Sequence, residues 1–210
     1  MFDSGAYTAA HLARLPAAVV CATPTDIAAV ASLAATYMAG QPVIDWLIAG
    51  AERREHILRW LATILVTHAL GHGYVDLIAG RSAAIWLDRT TDLPRPANLN
   101  DGTATEKVLQ RLAVLAAHQP DVEHLDLAVL VATDDADAAA LLAHRHRGLD
   151  RAAVPAFAQA ADPAAIRRLS AAGYQPGDPY RLDGGPWVQP MLRTPTADLE
   201  RRQLWPPGFN

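Results

Sequence analysis

The sequence predicts an α+β domain in which short strands alternate with amphipathic helices around a single sheet. Three observations carry this. Apolar residues recur at helical spacing in several segments, among them Ile57, Leu61, Ile64, Leu65 and His68 at i, i+4, i+7, i+8 and i+11. Short strand-like runs lie between those segments, two pairs of them close enough for hairpins. One run, Leu125–Ala132, is almost continuously apolar, as a central strand covered on both faces must be.

The elements follow in order. Ala17–Ala22 is short, apolar and β-branched at its middle, and reads as a strand. Thr23-Pro24-Thr25-Asp26 supplies a capping residue, a proline at the first helical position and an acid where a capping box needs one. A helix should run from there to about Met38, broken by Gly40-Gln41-Pro42. A second helix starts near Ala51 and ends at Gly71 and Gly73. Tyr74–Ile78 and Ala83–Leu87 form a hairpin through Ala79-Gly80-Arg81-Ser82. Residues 88–103, rich in Pro, Asn, Asp and Thr, read as a loop. Thr105–Ala117 is a helix, Leu125–Ala132 the central strand, and Asp134–Arg147 a further helix. Val154–Gln159 is a strand and Pro163–Ala172 a short helix closed by Gly173. Tyr174–Leu182 and Trp187–Leu192 make a final hairpin around Asp183-Gly184-Gly185.

Composition narrows the function classes. A length of 210 residues suits one domain, expected at 16–195, between an N-terminal extension at 1–15 and a tail at 196–210. With 51% hydrophobic and 19% charged residues, the chain can bury a sizeable core. A net charge of −4 and the lack of any Lys/Arg run argue against a nucleic-acid partner. Cys21 is the only cysteine, so the expectation is no intramolecular disulfide and no cysteine metal site. No secretory leader or membrane-length apolar run is seen, so the expectation is a cytoplasmic protein with no membrane partner. A homo-oligomer stays open.

The order β-α-α-β-β-(α)-β-α-β-α-β-β resembles that of the GNAT acyltransferase superfamily. Local phrases add to the resemblance. Ala22-Thr23-Pro24-Thr25-Asp26 resembles its first strand-to-helix junction. Gln41-Pro42-Val43-Ile44-Asp45-Trp46-Leu47 is similar to its substrate-side segment, and Ala83-Ala84-Ile85-Trp86-Leu87 to its third strand. Leu141-Leu142, Leu149-Asp150, Val154-Pro155-Ala156-Phe157 and Gly173-Tyr174 are similar to phrases further along. The resemblance implies a central mixed, mostly antiparallel twisted sheet flanked by helices on both faces. It also implies acyl-CoA bound where two parallel central strands splay apart. The family's Gln/Arg-x-x-Gly-x-Gly/Ala loop cradles the pyrophosphate with backbone N–H groups at a helix N-terminus.

Two positions depart from that pattern. Aligned on Leu141-Leu142, the loop places Thr133 at the Gln/Arg position and Ala136 and Ala138 at the glycine positions, so these three would be the cofactor-binding residues if CoA binds. Asp134, Asp135 and Asp137 lie among them. Two unit charges about 4 Å apart interact by roughly 4 kcal/mol at an effective dielectric near 20, so such acids should weaken pyrophosphate binding. They also suit a helix cap and first turn, where they favour the helix dipole. Their spacing matches no EF-hand loop. The second departure is Leu169, at the position where many GNAT enzymes carry a tyrosine that protonates the departing thiolate.

Candidates for other chemistry follow from placement. His124 and Asp126, two apart near the start of the central strand, are expected to share a sheet face and read as a general acid–base pair or as a solvated strand end. Gln159, at the end of the fifth strand, can donate to a substrate carbonyl. Trp46, Trp86, Tyr180 and Trp187 come from segments that meet on the family's substrate side, and read as an aromatic pocket or as core. His68 and His72 have the i, i+4 spacing of a metal pair but lack the following Glu and a third ligand. Cys21, among apolar neighbours, reads as a buried small hydrophobe. No metal is expected. The leading expectation is a small-molecule enzyme of specialised metabolism that keeps the GNAT fold but has left CoA chemistry for a cyclase, isomerase or lyase reaction, without a cofactor. The alternatives are an N-acyltransferase using acetyl-CoA or another acyl-CoA through a divergent loop, and a non-catalytic GNAT-like binding domain.

Overall fold

The computed structural model describes residues 18–49, 54–88, 91 and 102–196. The expected N-terminal extension, most of the loop expected at 88–103 and nearly all of the C-terminal tail lie outside these residues. In chain order the elements are β1 (Val20–Cys21), α1 (Ile27–Met38), α2 (Pro42–Leu47), α3 (Arg54–His72), β2 (Gly73–Ile78), β3 (Ser82–Asp88) and α4 (Gly102–Ala116). There follow β4 (Leu125–Val131), α5 (Asp135–Ala152), β5 (Ala156–Ala160), α6 (Pro163–Ala171), β6 (Gln175–Pro176), β7 (Tyr180–Arg181) and β8 (Trp187–Arg193).

Local chemistry explains most boundaries. The Asp26 carboxylate accepts from both the backbone N–H and the hydroxyl of Thr23, fixing the turn that enters α1. Pro42 occupies the first turn of α2, so the expected break is the start of a short helix. The Asp162 side chain caps α6 by accepting from the N–H groups of Ala164 and Ala165. Gly173, at φ 90°, ends α6 in the left-handed region that glycine adopts freely. The final hairpin differs from expectation. Its first arm is split into β6 and β7, both paired with β8, because Pro176 and Pro179 cannot donate to a continuous ladder.

The strand order is β1-β2-β3-β4-β5-β8-β6, with β7 added to β8. Every pairing is antiparallel except β4 with β5. On β3 the faces alternate cleanly. Ala83, Ile85 and Leu87 join a core with α1, α2, α3 and α4, while Ala84 and Trp86 join a second core with α5 and α6. The sheet is therefore covered by helices on both faces.

On β4 the alternation reverses midway. Leu125 and Leu127 belong to the α5–α6 core, yet Val129 and Val131 belong to the opposite one. The cause is a β-bulge. Ile85 pairs with Val129 and Trp86 with Leu127, leaving Ala128 as the extra residue. One inserted residue shifts the parity of everything beyond it. Among the described residues no helix is long and apolar enough to cross a membrane.

Candidate functional site

The bulge coincides with the point where the central parallel pair opens. β4 and β5 are paired only from Leu125–Ala156 to Leu127–Ala158. Beyond it both strands continue, and a cavity of about 230 Å³ lies between their ends, lined by Ala128–Leu130 of β4 and by Gln159–Ala161 at the end of β5. Among the described residues, backbone N–H and C=O groups on that edge of β4 have no strand partner, so they are free to bond an extended ligand. The rest of the lining is mainly apolar: Met38, Ile44, Leu47, Leu61, Leu65, Leu112 and Leu115. Its polar members are Tyr37, Gln41, Asp126, Gln159, Asp162 and Arg168.

The structure separates the residues expected to act together. Asp126 lines the cavity, is 4% exposed and accepts from Gln119 Nε2 at 3.3 Å. His124 turns elsewhere. Its Nδ1–H donates to the Val122 carbonyl at 2.7 Å, its ring meets Phe157 edge-on at 5.3 Å, and its buried Nε2 has no hydrogen-bond partner among the described residues. His124 lies just before β4, and no hydrogen bond joins the pair among the described residues. Gln159 lines the cavity while its amide donates to the Leu115 carbonyl of α4 at 3.0 Å, tying that helix over the cleft.

The four aromatics do not form one pocket. Trp46 packs in the core beneath α1–α4, donating its Nε1–H to the Asp183 carbonyl at 2.8 Å. Tyr180 packs against the same core, stacks on His118 at 3.6 Å, and has its hydroxyl pushed up to about 12 by burial. Trp86 lies on the opposite face, edge-on to His146, because strand alternation sends it there. Trp187 is 60% exposed. His68 and His72 bring their rings to 5.1 Å, with no third metal donor beside them among the described residues. Cys21 is exposed, contrary to expectation, because β1 is a two-residue strand at the sheet edge.

The acidic segment is held together by internal partners. Asp134 caps α5, accepting from the Asp137 N–H at 2.8 Å. Asp135 pairs with Arg168 at 2.6 Å. Asp137 is 3% exposed and accepts from Arg81 Nε and Nη2 at 2.8 and 2.7 Å, Ser82 Oγ at 2.6 Å and Thr133 Oγ1 at 3.0 Å. Hydrogen bonds from Arg81, then from Ser82 and Thr133, hold its carboxyl far below the usual range, against the opposing effect of burial. Thr133 thus serves Asp137, Ala138 is buried, and Ala136 is exposed. The repulsion expected from three acids is offset by two arginines in direct contact.

A second groove, of about 810 Å³, lies between α5 and α6. Arg147, Arg167, Arg168 and Arg193 line it against Asp135 and Asp150, an excess of two positive charges. Arg193 is engaged by Asp150 in two hydrogen bonds at 2.8 and 2.9 Å. Arg147 and Arg167 are exposed and make no ion pair among the described residues. Arg168 lines both the cavity and the groove, so the two are neighbours.

Solved structures that match this architecture include acetyltransferases and a condensation domain. A histone acetyltransferase HPA2 and related acetyltransferase from Corynebacterium glutamicum matches with TM-score 0.61 at 18% identity, over 87% of this chain and 98% of its own. A putative arylalkylamine N-acetyltransferase 7 from the yellow fever mosquito matches with TM-score 0.54 at 12% identity, over 84% and 86%. The C-terminal condensation domain of Ebony, in complex with β-alanyl-dopamine, matches with TM-score 0.53 at 12% identity, over 84% and 98%. No protein-family model matches the chain, and no curated protein matches it in sequence. The chain therefore has the GNAT acetyltransferase fold, as its order of elements predicted.

Sequence reasoning missed Tyr37. It lies on α1, lines the cavity and is raised by burial and then by the Asp162 charge, with Arg168 pulling the other way. It therefore stays a neutral phenol at neutral pH. No motif marks it; only the packing of α1 against the open ends of β4 and β5 brings it to the cleft. Arg147 and Arg167 also gave no signal, since on a helix exposed arginines read as a solvated face.

Proposed function

We propose that this chain is an N-acyltransferase that takes its acyl group from a CoA thioester and passes it to a small, largely apolar amine. The observation that carries this is the opening between β4 and β5, with an unpartnered strand edge inside and an arginine-lined groove beside it. The edge of β4 beyond Leu127 can bond the two amides of a pantetheine arm as if it were an added strand. Arg147, Arg167 and Arg168 supply the positive charge for the phosphates, a role the acidic segment at 133–138 does not need to fill.

The thioester supplies an activated acyl carbon and a leaving thiolate. Asp126 attracts the acceptor ammonium and removes its proton, leaving a neutral amine able to attack that carbon. A backbone N–H of β4 stabilises the oxyanion as the tetrahedral centre forms. Tyr37 returns a proton to the sulfur as the carbon–sulfur bond breaks, taking the place that Leu169 leaves without a hydroxyl. The acceptor ammonium and thioester thus become amide, thiol and one released proton. Apolar residues around the carboxylate favour an amine with a hydrocarbon body over a polar polyamine.

Leu169 keeps a second reading in play: a cleft used for cyclase, isomerase or lyase chemistry without CoA. Calorimetric titration with acetyl-CoA at modest salt separates the two. Micromolar binding is the expected result; no binding up to millimolar overturns the acyltransferase and leaves the second reading.

A further inference from the structure

At the far edge of the sheet from the cleft, three donor atoms converge that the proposed reaction does not use. Cys21 and Asp76 are direct cross-strand partners in the antiparallel β1–β2 pair, so their side chains leave the same face within reach of one another. His144 descends on that face from α5. Its Nε2 is 3.7 Å from Asp76 Oδ1, and Cys21 Sγ is 3.9 Å from the same oxygen. One ligand atom from each residue lies within 4.8 Å of the other two, the only such trio of donors among the described residues. Asp76 is fully buried, His144 half-buried and Cys21 exposed, so the group opens to solvent on its sulfur side.

We propose that Cys21, Asp76 and His144 form a site for a thiophilic divalent cation, with zinc the best fit. Thiolate, imidazole and carboxylate are the donors zinc takes, and three protein ligands with one open position is a composition it adopts. Ligand atoms about 2.0–2.3 Å from a tetrahedral ion stand roughly 3.3–3.8 Å from each other. The two separations at Asp76 Oδ1 are already close to that, and the remaining closure falls to the exposed Cys21 side chain. Arg145 acts as an outer partner. Its Nε donates to Asp76 Oδ2 at 2.9 Å, its Nη2 donates to Oδ1, and Tyr74 holds the guanidinium over its ring at 3.7 Å. This orients the carboxylate, while each oxygen retains a second lone pair for a ligand bond. Binding exchanges the thiol proton for the metal–sulfur bond, so one proton leaves and affinity rises with pH.

The test is titration of the reduced full chain with zinc ion alone, and in parallel with cobalt(II), under a reductant that carries no thiol. One equivalent of zinc should bind with a micromolar or tighter Kd, and cobalt should show a thiolate-to-metal charge-transfer band. Cys21→Ser should abolish that band. Loss of an outer partner alone costs about 10- to 100-fold in metal affinity, so Cys21→Ser and His144→Ala should each weaken zinc by more than about 100-fold. Asp76→Asn would strand Arg145 and risk the fold, so the two accessible positions carry the test, with circular dichroism confirming that both variants are folded. Unchanged zinc affinity in either folded variant, a cobalt complex without the sulfur band, or no zinc binding below millimolar would each overturn the site.

Discussion

Helix α6 separates two regions of opposite character. On one side the cleft between β4 and β5 is mainly apolar, with a few polar groups, among them Asp126, Tyr37 and Gln159. On the other, the groove against α5 is crowded with charge, and two of its arginines have no ion-pair partner among the described residues. Under the proposed reaction, the contrast amounts to a division of labour. A low-dielectric cleft strengthens the few polar groups that face a reacting centre, while a solvated groove can hold an anion without burying it. Arg168, which lines both, joins them.

The sharpest way to break this division is at the carboxylate. Asp126→Asn keeps the size and the Gln119 contact but cannot take a proton, so kcat should fall about 10²–10⁴-fold with acetyl-CoA affinity unchanged; steady-state kinetics with calorimetry would check it. Tyr37→Phe should lower kcat by about 100-fold, the low end for a proton donor, and should flatten the alkaline limb of the pH profile. Loss of CoA affinity in either variant would mean that the cleft and groove are not separable.

The start of α5 is tested through stability. Asp137→Asn removes the charge that Arg81, Ser82 and Thr133 share, and should cost about 2 kcal/mol in a denaturant melt. The folded Asp137 carboxyl lies well below its ordinary value of 3.8. Its contribution is therefore complete above that value and fades as pH falls below it, so wild type and variant should converge on acidification. The smallest effect is expected from Arg147→Ala and Arg167→Ala. Each should weaken acetyl-CoA about tenfold, near 1.4 kcal/mol, with kcat intact and with the difference shrinking at high salt.

Much of the fold was legible in the sequence. Helical spacing and Thr23-Pro24-Thr25-Asp26 located α1, and the apolar run at 125–132 located β4. The candidate site was less so. Strand period put His124 and Asp126 on one face, yet His124 precedes β4 and is drawn to the Val122 carbonyl, a contact no pattern announces. Trp86 sits opposite Trp46 and Tyr180 because the parity of β3 sends it to the α5–α6 side, and β-strand parity says nothing about which face is which.

The sequence by itself determined the order of elements, the central place of β4 and the presence of acids at the start of α5. Those depend on local propensity, hydrophobic period and capping chemistry, all readable within a few residues. Only the tertiary structure decided that Arg81 and Arg168 offset those acids, that the bulge at Ala128 marks the opening of the β4–β5 pair, and that Tyr37 faces it. Each of these joins residues tens of positions apart, and the physical reason is the same throughout. Charge compensation and cavity lining depend on distances in space, which strand register and helix packing set and local sequence does not.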